Sequence, residues 1–139
     1  MPAPAAPDSH VQKLMEHAQR AAQNSYSPYS GFKVGAALEL DSGAIVTGTN
    51  VENVSYSLTI CAERAALARA IAEHGPHIRI RAVAVANLNH AASTPCGACR
   101  QTLAEFADPD APVAFPAEAG IVTMRFAELL PLAFNMKRK

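Results

Sequence analysis

Tryptophan is absent from this 139-residue chain, and the formal net charge is zero, twelve basic residues balancing twelve acidic ones. That balance argues against a general grip on nucleic acid, which needs a basic face. No apolar run reaches the roughly 18 residues of a membrane-spanning helix. The opening "MPAPAAPDSH" lacks the charged region and following apolar stretch of a secretory signal. Internal repeats are missing, as are low-complexity tracts beyond the prolines and alanines of that opening. Cysteine is scarce: the three present cannot all pair within one chain, which argues against a disulfide framework and for a reducing, cytoplasmic setting.

What the chain has is one core's worth of apolar residues, 50% of the total. The expected organisation is a flexible leader over 1–7, a single domain over 8–134, and a basic, solvated tail over 135–139 ending in "K-R-K". Asp8 or Ser9 can cap a first helix, in which Val11, Leu14, Met15, Ala18, Ala21 and Ala22 recur at helical spacing. "N-S-Y-S-P-Y-S-G" is a turn-rich loop. Alternation from Phe32 to Leu40 predicts a strand, "D-S-G" a hairpin turn, and Ala44 to Thr49 a second strand. A polar loop follows, then a helix from Cys61 to His74 stopped by Gly75-Pro76, and a central strand within 78–88. A short helix over 97–106, strands at Val113 to Phe115 and Ile121 to Arg125, and a last helical turn from Ala127 to Leu130 complete the order. Strands interleaved with helices imply an α/β fold: a three-layer α/β/α arrangement with one mixed sheet of about five strands covered on both faces.

The chemistry-bearing pattern is "T-P-C-G-A-C-R-Q", residues 94–101, with "I-C-A-E-R" far upstream. All three cysteines stand just before a predicted helix. Three readings are available. Burial alone accounts for many free cysteines. Cys96-Gly97-Ala98-Cys99 also resembles a redox dithiol, but such proteins need no third cysteine and usually carry a tryptophan beside the motif. The third reading is zinc, which prefers thiolate or imidazole in a tetrahedron, with four protein ligands when structural and three plus water when catalytic. His90 is the nearest candidate fourth ligand, six residues before Cys96, while His10, His17, His74 and His77 fall outside tight ligand spacing. Three cysteines and a water is the better count. Helix N-termini help hold three negative sulfurs around one dication. Arg64 and Arg100 each follow a ligand closely and are placed to hydrogen-bond sulfur. Glu63, two residues after Cys61, is the candidate proton carrier, although two residues along an ideal helix do not share a face.

"C-A-E-R" at 61–64 followed by "P-C-G-A-C-R-Q" at 95–101 resembles the signature of the zinc nucleoside deaminases. "Y-S-P-Y-S-G-F-K-V-G-A-A-L" at 26–38, "N-V-E-N" at 50–53 and "E-L-L-P-L-A-F" at 128–134 are similar to the small cytidine deaminases in particular. The likeness runs from about residue 10 to residue 134.

The resemblance implies that Cys61, Cys96 and Cys99 bind one zinc ion per chain and that Glu63 shuttles protons. It implies that Asn50 and Glu52 hold the ribose hydroxyls, that Phe32 lies against the pyrimidine, and that the backbone around Ala62 and Pro95 reads the base edge. Tyr56 and Phe134 would approach a neighbouring subunit's pocket in a homotetramer with shared sites. The activity implied is hydrolytic deamination of cytidine and 2′-deoxycytidine, within pyrimidine salvage in the cytoplasm. Nucleic acid and membrane are not expected partners. A runner-up is another cytosine-bearing small molecule such as blasticidin S, whose deaminases generally lack an upstream "Y-S-P-Y-S-x-F" and an equivalent of Asn50-x-Glu52. From residue chemistry alone, an amide and a carboxylate two apart on an extended segment face the same side, which suits a diol.

Overall fold

The computed structural model describes residues 9–138, so the leader and the possible cap Asp8 lie outside the described residues. Helix α1 spans Ser9–Ala22 and buries Val11, Leu14, Met15, Ala18 and Ala22, one stripe at helical spacing. Strands β1 (Val34–Leu40) and β2 (Ile45–Thr49) form a hairpin closed by Gly43, whose φ of 92° suits a residue without a side chain. A single 3-10 turn, Tyr56–Leu58, precedes helix α2 (Ala62–His74), which ends at Gly75. Strand β3 (Ile80–Asn87), helix α3 (Gly97–Ala104), strands β4 (Pro112–Ala117) and β5 (Gly120–Arg125), and the turn-long α4 (Phe126–Leu129) follow. Among the described residues, no helix is long and apolar enough to cross a membrane.

The five strands form one mixed sheet in the order β2-β1-β3-β4-β5. Only β3 and β4 run parallel, so their connection must cross over, and α3 lies in it. Pro112 and Pro116 have no N–H to offer, and the β3–β4 pairing is confined to Val113 and Ala114.

The two faces are unequal. Toward α1 the sheet presents Ala37, Ala82, Ala84, Ala86 and Ala114. These small residues let the helix sit close; a Cβ on Gly35 would lie 2.0 Å from the Ala18 carbonyl oxygen. Toward α2 and α3 it presents Leu38, Leu40, Val46, Val83, Val85, Val113 and Phe115, packed with Ala66, Leu67, Ala70 and Leu103. There too one approach is close, since a Cβ on Gly48 would lie 2.4 Å from the Ala66 nitrogen. The buried Glu39 is reached by His10 and Arg81, at 2.8 Å and 3.1 Å. An irregularity in register, where Glu39 faces Ala82 but Leu40 faces Ile80, lets Arg81 join that pair.

Candidate active site

Cys61 and Cys96 each occupy the N-cap of a helix, with extended backbone angles of −72°, 151° and −68°, 164°. Cys99 is not before a helix but in the first turn of α3, where its N–H donates to Cys96 Sγ at 3.4 Å. The C-x-x-C spacing is thus a capping arrangement, N-cap to third helical residue, and it folds the two sulfurs back on each other at 3.4 Å. Residue 64 holds the same third place in α2, and Arg64 Nη2 reaches the N-cap Cys61 Sγ at 3.7 Å and the Thr59 carbonyl at 3.4 Å. Arg64 Nε is buried with no hydrogen-bond partner among the described residues.

The two helix starts bring Cys61 Sγ to 4.0 Å from Cys96 Sγ, and all three sulfurs lie within 4.8 Å of one another. A tetrahedral zinc with Zn–S bonds of about 2.3 Å sets its sulfurs about 3.8 Å apart, so the cluster fits one zinc ion per chain. Among the described residues no histidine or carboxylate joins this cluster. All three cysteines are free. A hydrogen bond from the Cys99 thiol, aided by Arg64 and Cys96, pushes Cys61 down to about 5. The same bond to Cys61, with burial, pushes Cys99 up. Between these two the negative charge rests on Cys61; ionising all three sulfurs in this space calls for a cation.

Glu63 is 4% exposed, and burial, first among the causes, raises its carboxyl pKa, with the Cys61 charge acting in the same direction. Helical phase alone does not predict this meeting. Cys61 is a cap with extended angles, so its direction is not set by the helix on which Glu63 turns inward. Glu63 shares a cleft of ≈ 190 Å³ with Cys61, Cys96, Ala62, Asn50 and Val34.

A model of the cytidine and deoxycytidylate deaminase zinc-binding region matches residues 8–115. This chain belongs to that family. It is 42% identical over 127 residues to the cytidine deaminase of Sporosarcina psychrophila, covering 90% of this chain and 91% of that protein. It is 43% identical over 125 residues to that of Halalkalibacterium halodurans, covering 89% and 93%. The crystal structure of cytidine deaminase from Mycobacterium tuberculosis matches with a TM-score of 0.80 at 39% identity, covering 93% of this chain and 100% of that one. The mixed five-stranded sheet with its helices is the fold of these deaminases.

The other predicted site residues of this deaminase-family chain fall in two groups. Asn50 and Glu52 are both buried and turn toward the loop at 25–32. Asn50 Oδ1 accepts from the Val34 N–H at 3.0 Å and from the Ser25 hydroxyl, and its Nδ2 donates to the Phe32 carbonyl at 2.8 Å. Glu52 Oε1 accepts from the N–H groups of Tyr29 and Ser30 at 3.0 Å and 3.2 Å, and Oε2 from the Ser30 hydroxyl. Phe32, half-buried, lies two residues before β1 rather than in it. Pro95 is buried, and Arg100 differs from expectation. Its guanidinium is not aimed at sulfur but donates to the Pro95 and Leu129 carbonyls, both at 2.8 Å, and so braces the peptide before Cys96. Tyr56 and Phe134 stand outside this chain's cleft, 67% and 73% exposed, Tyr56 with its ring edge-to-face on Tyr29. Sequence reasoning passed over Ser25, Ser30 and Asn89; the last bridges the Lys33 N–H and the Gly31 carbonyl at 3.0 Å each, spanning Phe32. Their only signal is serine or asparagine in a turn, which turns use anyway.

Proposed function

We propose that this chain hydrolyses cytidine and 2′-deoxycytidine to uridine and 2′-deoxyuridine with release of ammonia. The observation that carries the reading is the buried Glu63 carboxyl turned onto a three-thiol cluster at a cleft, in a chain about two-fifths identical to cytidine deaminases. Cys61, Cys96 and Cys99 would hold the zinc, which would supply an activated water, since bound zinc lowers the pKa of water from 15.7 toward about 7. Glu63 takes the proton that this water gives up and passes it to ring N3 as the C4–O bond forms. It then takes the proton of the new C4 hydroxyl and hands it to the exocyclic nitrogen; the C4–N bond breaks, the C4 carbonyl of the product forms, and ammonia leaves. A carboxyl raised by burial suits a group that must both accept and donate near neutrality.

Asn50 retains one Nδ2–H, and Glu52 Oε2 retains one lone pair, so the two offer one donor and one acceptor to the sugar hydroxyls. Phe32 packs on the pyrimidine, and the backbone at Ala62 and Pro95 reads its edge; the Pro95 carbonyl keeps one lone pair beyond the Arg100 bond. Arg64 offsets sulfur charge from behind Cys61. The domain runs over 8–134. It assembles as a homotetramer with shared sites, a reading supported by the exposed Tyr26, Tyr29, Val54, Tyr56, Leu58 and Phe134. Three free thiols suit the cytoplasm, and the reaction suits pyrimidine salvage.

The test is ammonia release from cytidine, 2′-deoxycytidine and blasticidin S, each with and without a zinc chelator. Turnover of the two nucleosides, lost with chelator, is expected. Turnover of blasticidin S alone, or chelator-resistant turnover, contradicts the reading.

A further inference from the structure

Ser30 stands where the side chains assigned to the nucleoside meet. Its Oγ donates to Glu52 Oε2 and accepts from the Phe32 N–H at 3.0 Å. Its own N–H donates to Glu52 Oε1 at 3.2 Å, beside the Tyr29 N–H on the same oxygen at 3.0 Å. A hydroxyl has one proton and an ionised carboxylate only accepts, so the direction of the relay is fixed: Phe32 N–H to Ser30, Ser30 O–H to Glu52. Oε1 then has both lone pairs engaged, and Oε2 has one engaged and one left. The terminal torsion of a glutamate is soft, so two bonds to one oxygen leave the other free to swing. What stops Oε2 from swinging is the Ser30 hydroxyl. Ser30 is itself exposed, so core packing does not account for its place.

We propose that Ser30 is a positioning residue for sugar recognition: its hydroxyl aims the last free lone pair of Glu52 at a substrate hydroxyl and ties that aim to the backbone of Phe32. This rests on the reading of Glu52 as a sugar-binding residue.

The experiment compares Ser30→Ala, Ser30→Thr and Glu52→Gln with the unaltered zinc-loaded enzyme on cytidine and on 2′,3′-dideoxycytidine. The second nucleoside has the same base and no 2′ or 3′ hydroxyl; it is read as a substrate or, if turned over slowly, as a competitive inhibitor. Ser30→Ala should raise KM for cytidine about 10-fold, as expected for loss of a charge-assisted bond, with kcat within about 2-fold. Affinity for the dideoxy compound and zinc content should hold, and Ser30→Thr, which keeps the hydroxyl, should restore the cytidine KM. Equal losses on both nucleosides would make Ser30 a mere tie of the loop and overturn the proposal. If Glu52→Gln erases the preference for cytidine while Ser30→Ala keeps it, the proposal fails and Glu52 remains a sugar ligand. If Glu52→Gln leaves that preference intact, the Glu52 reading fails, and the role of Ser30 falls with it.

Discussion

A single methyl group at residue 48 should separate stability from catalysis. The Cβ of a Gly48→Ala variant would stand 2.4 Å from the Ala66 nitrogen, 2.7 Å from the Ala62 carbonyl oxygen and 2.9 Å from the Ala66 Cα. Carbon contacts settle at about 3.5 Å, so α2 must retreat from β2 by roughly 1 Å. All three clashing atoms are backbone, and no rotamer relieves them. Ala62 lies between Cys61 and Glu63, so the retreat falls on the end of α2 that carries one of the three cluster thiols and the proposed proton carrier. Overpacking of this kind costs about 1–3 kcal/mol. A displacement of about 1 Å in a catalytic group costs about 10²-fold in rate. Gly35→Ala is the internal comparison. Its Cβ intrudes further, 2.0 Å from the Ala18 oxygen and 2.6 Å from the Ala22 nitrogen, but against α1, which carries no candidate site residue. Urea midpoints, zinc content and kcat/KM for cytidine, taken where both variants are fully folded, decide the matter. Gly35→Ala should lose more stability and Gly48→Ala more activity. A folded Gly48→Ala protein with full zinc and unaltered kcat/KM, or equal catalytic losses in the two, would refute the reasoning.

Glu63→Gln should keep zinc and lose about 10²- to 10⁴-fold in kcat or more, read by ammonia release alongside metal analysis. Arg64→Ala removes the donor 3.7 Å from Cys61 Sγ and should weaken zinc binding about 10- to 100-fold, measured by competition with a chromophoric chelator. The Glu52 carboxyl is held below its ordinary 4.5 by the Ser30 hydroxyl first and by the Ser30 and Tyr29 N–H groups, against the opposing effect of burial. A depressed carboxyl contributes stability above its unfolded pKa and loses it as pH falls through the lower folded value. Glu52→Gln should therefore flatten the fall in thermal midpoint below about pH 4.5, and an acid limb as steep as that of the unaltered protein would contradict this.

Much of this architecture can be read from local pattern. The buried stripe of α1, the Asp41-Ser42-Gly43 turn and the Gly75 stop each rest on short-range physics, and each stands in the structure. The edges of elements follow less readily. The alternation beginning at Phe32 predicts a strand there, yet β1 starts at Val34, because the Phe32 peptide groups bond to the side chains of Ser30 and Asn50. Prolines mask the length of β4: Pro112 and Pro116 look like breakers, but both hold places in the antiparallel register with β5. The parallel contact of β3 with β4 depends on residues about thirty apart and leaves no mark in either segment. At the site, the spacing of the cysteines and the neighbouring glutamate were legible, since ligand count and helix capping are local properties. The aim of Glu63, the turn of Arg100 toward carbonyls, and the serine bonds to Asn50 and Glu52 all depend on how two or more segments meet.

The central claim is that three sulfurs hold a zinc ion whose fourth place is open to solvent beside Glu63. X-ray absorption at the zinc edge of the loaded, active protein tests it directly. The expected first shell is three sulfurs at about 2.3 Å and one oxygen at about 2.0 Å, with no outer-shell scattering from an imidazole ring. A shell of four protein ligands, by a histidine or by a cysteine from elsewhere, would contradict it.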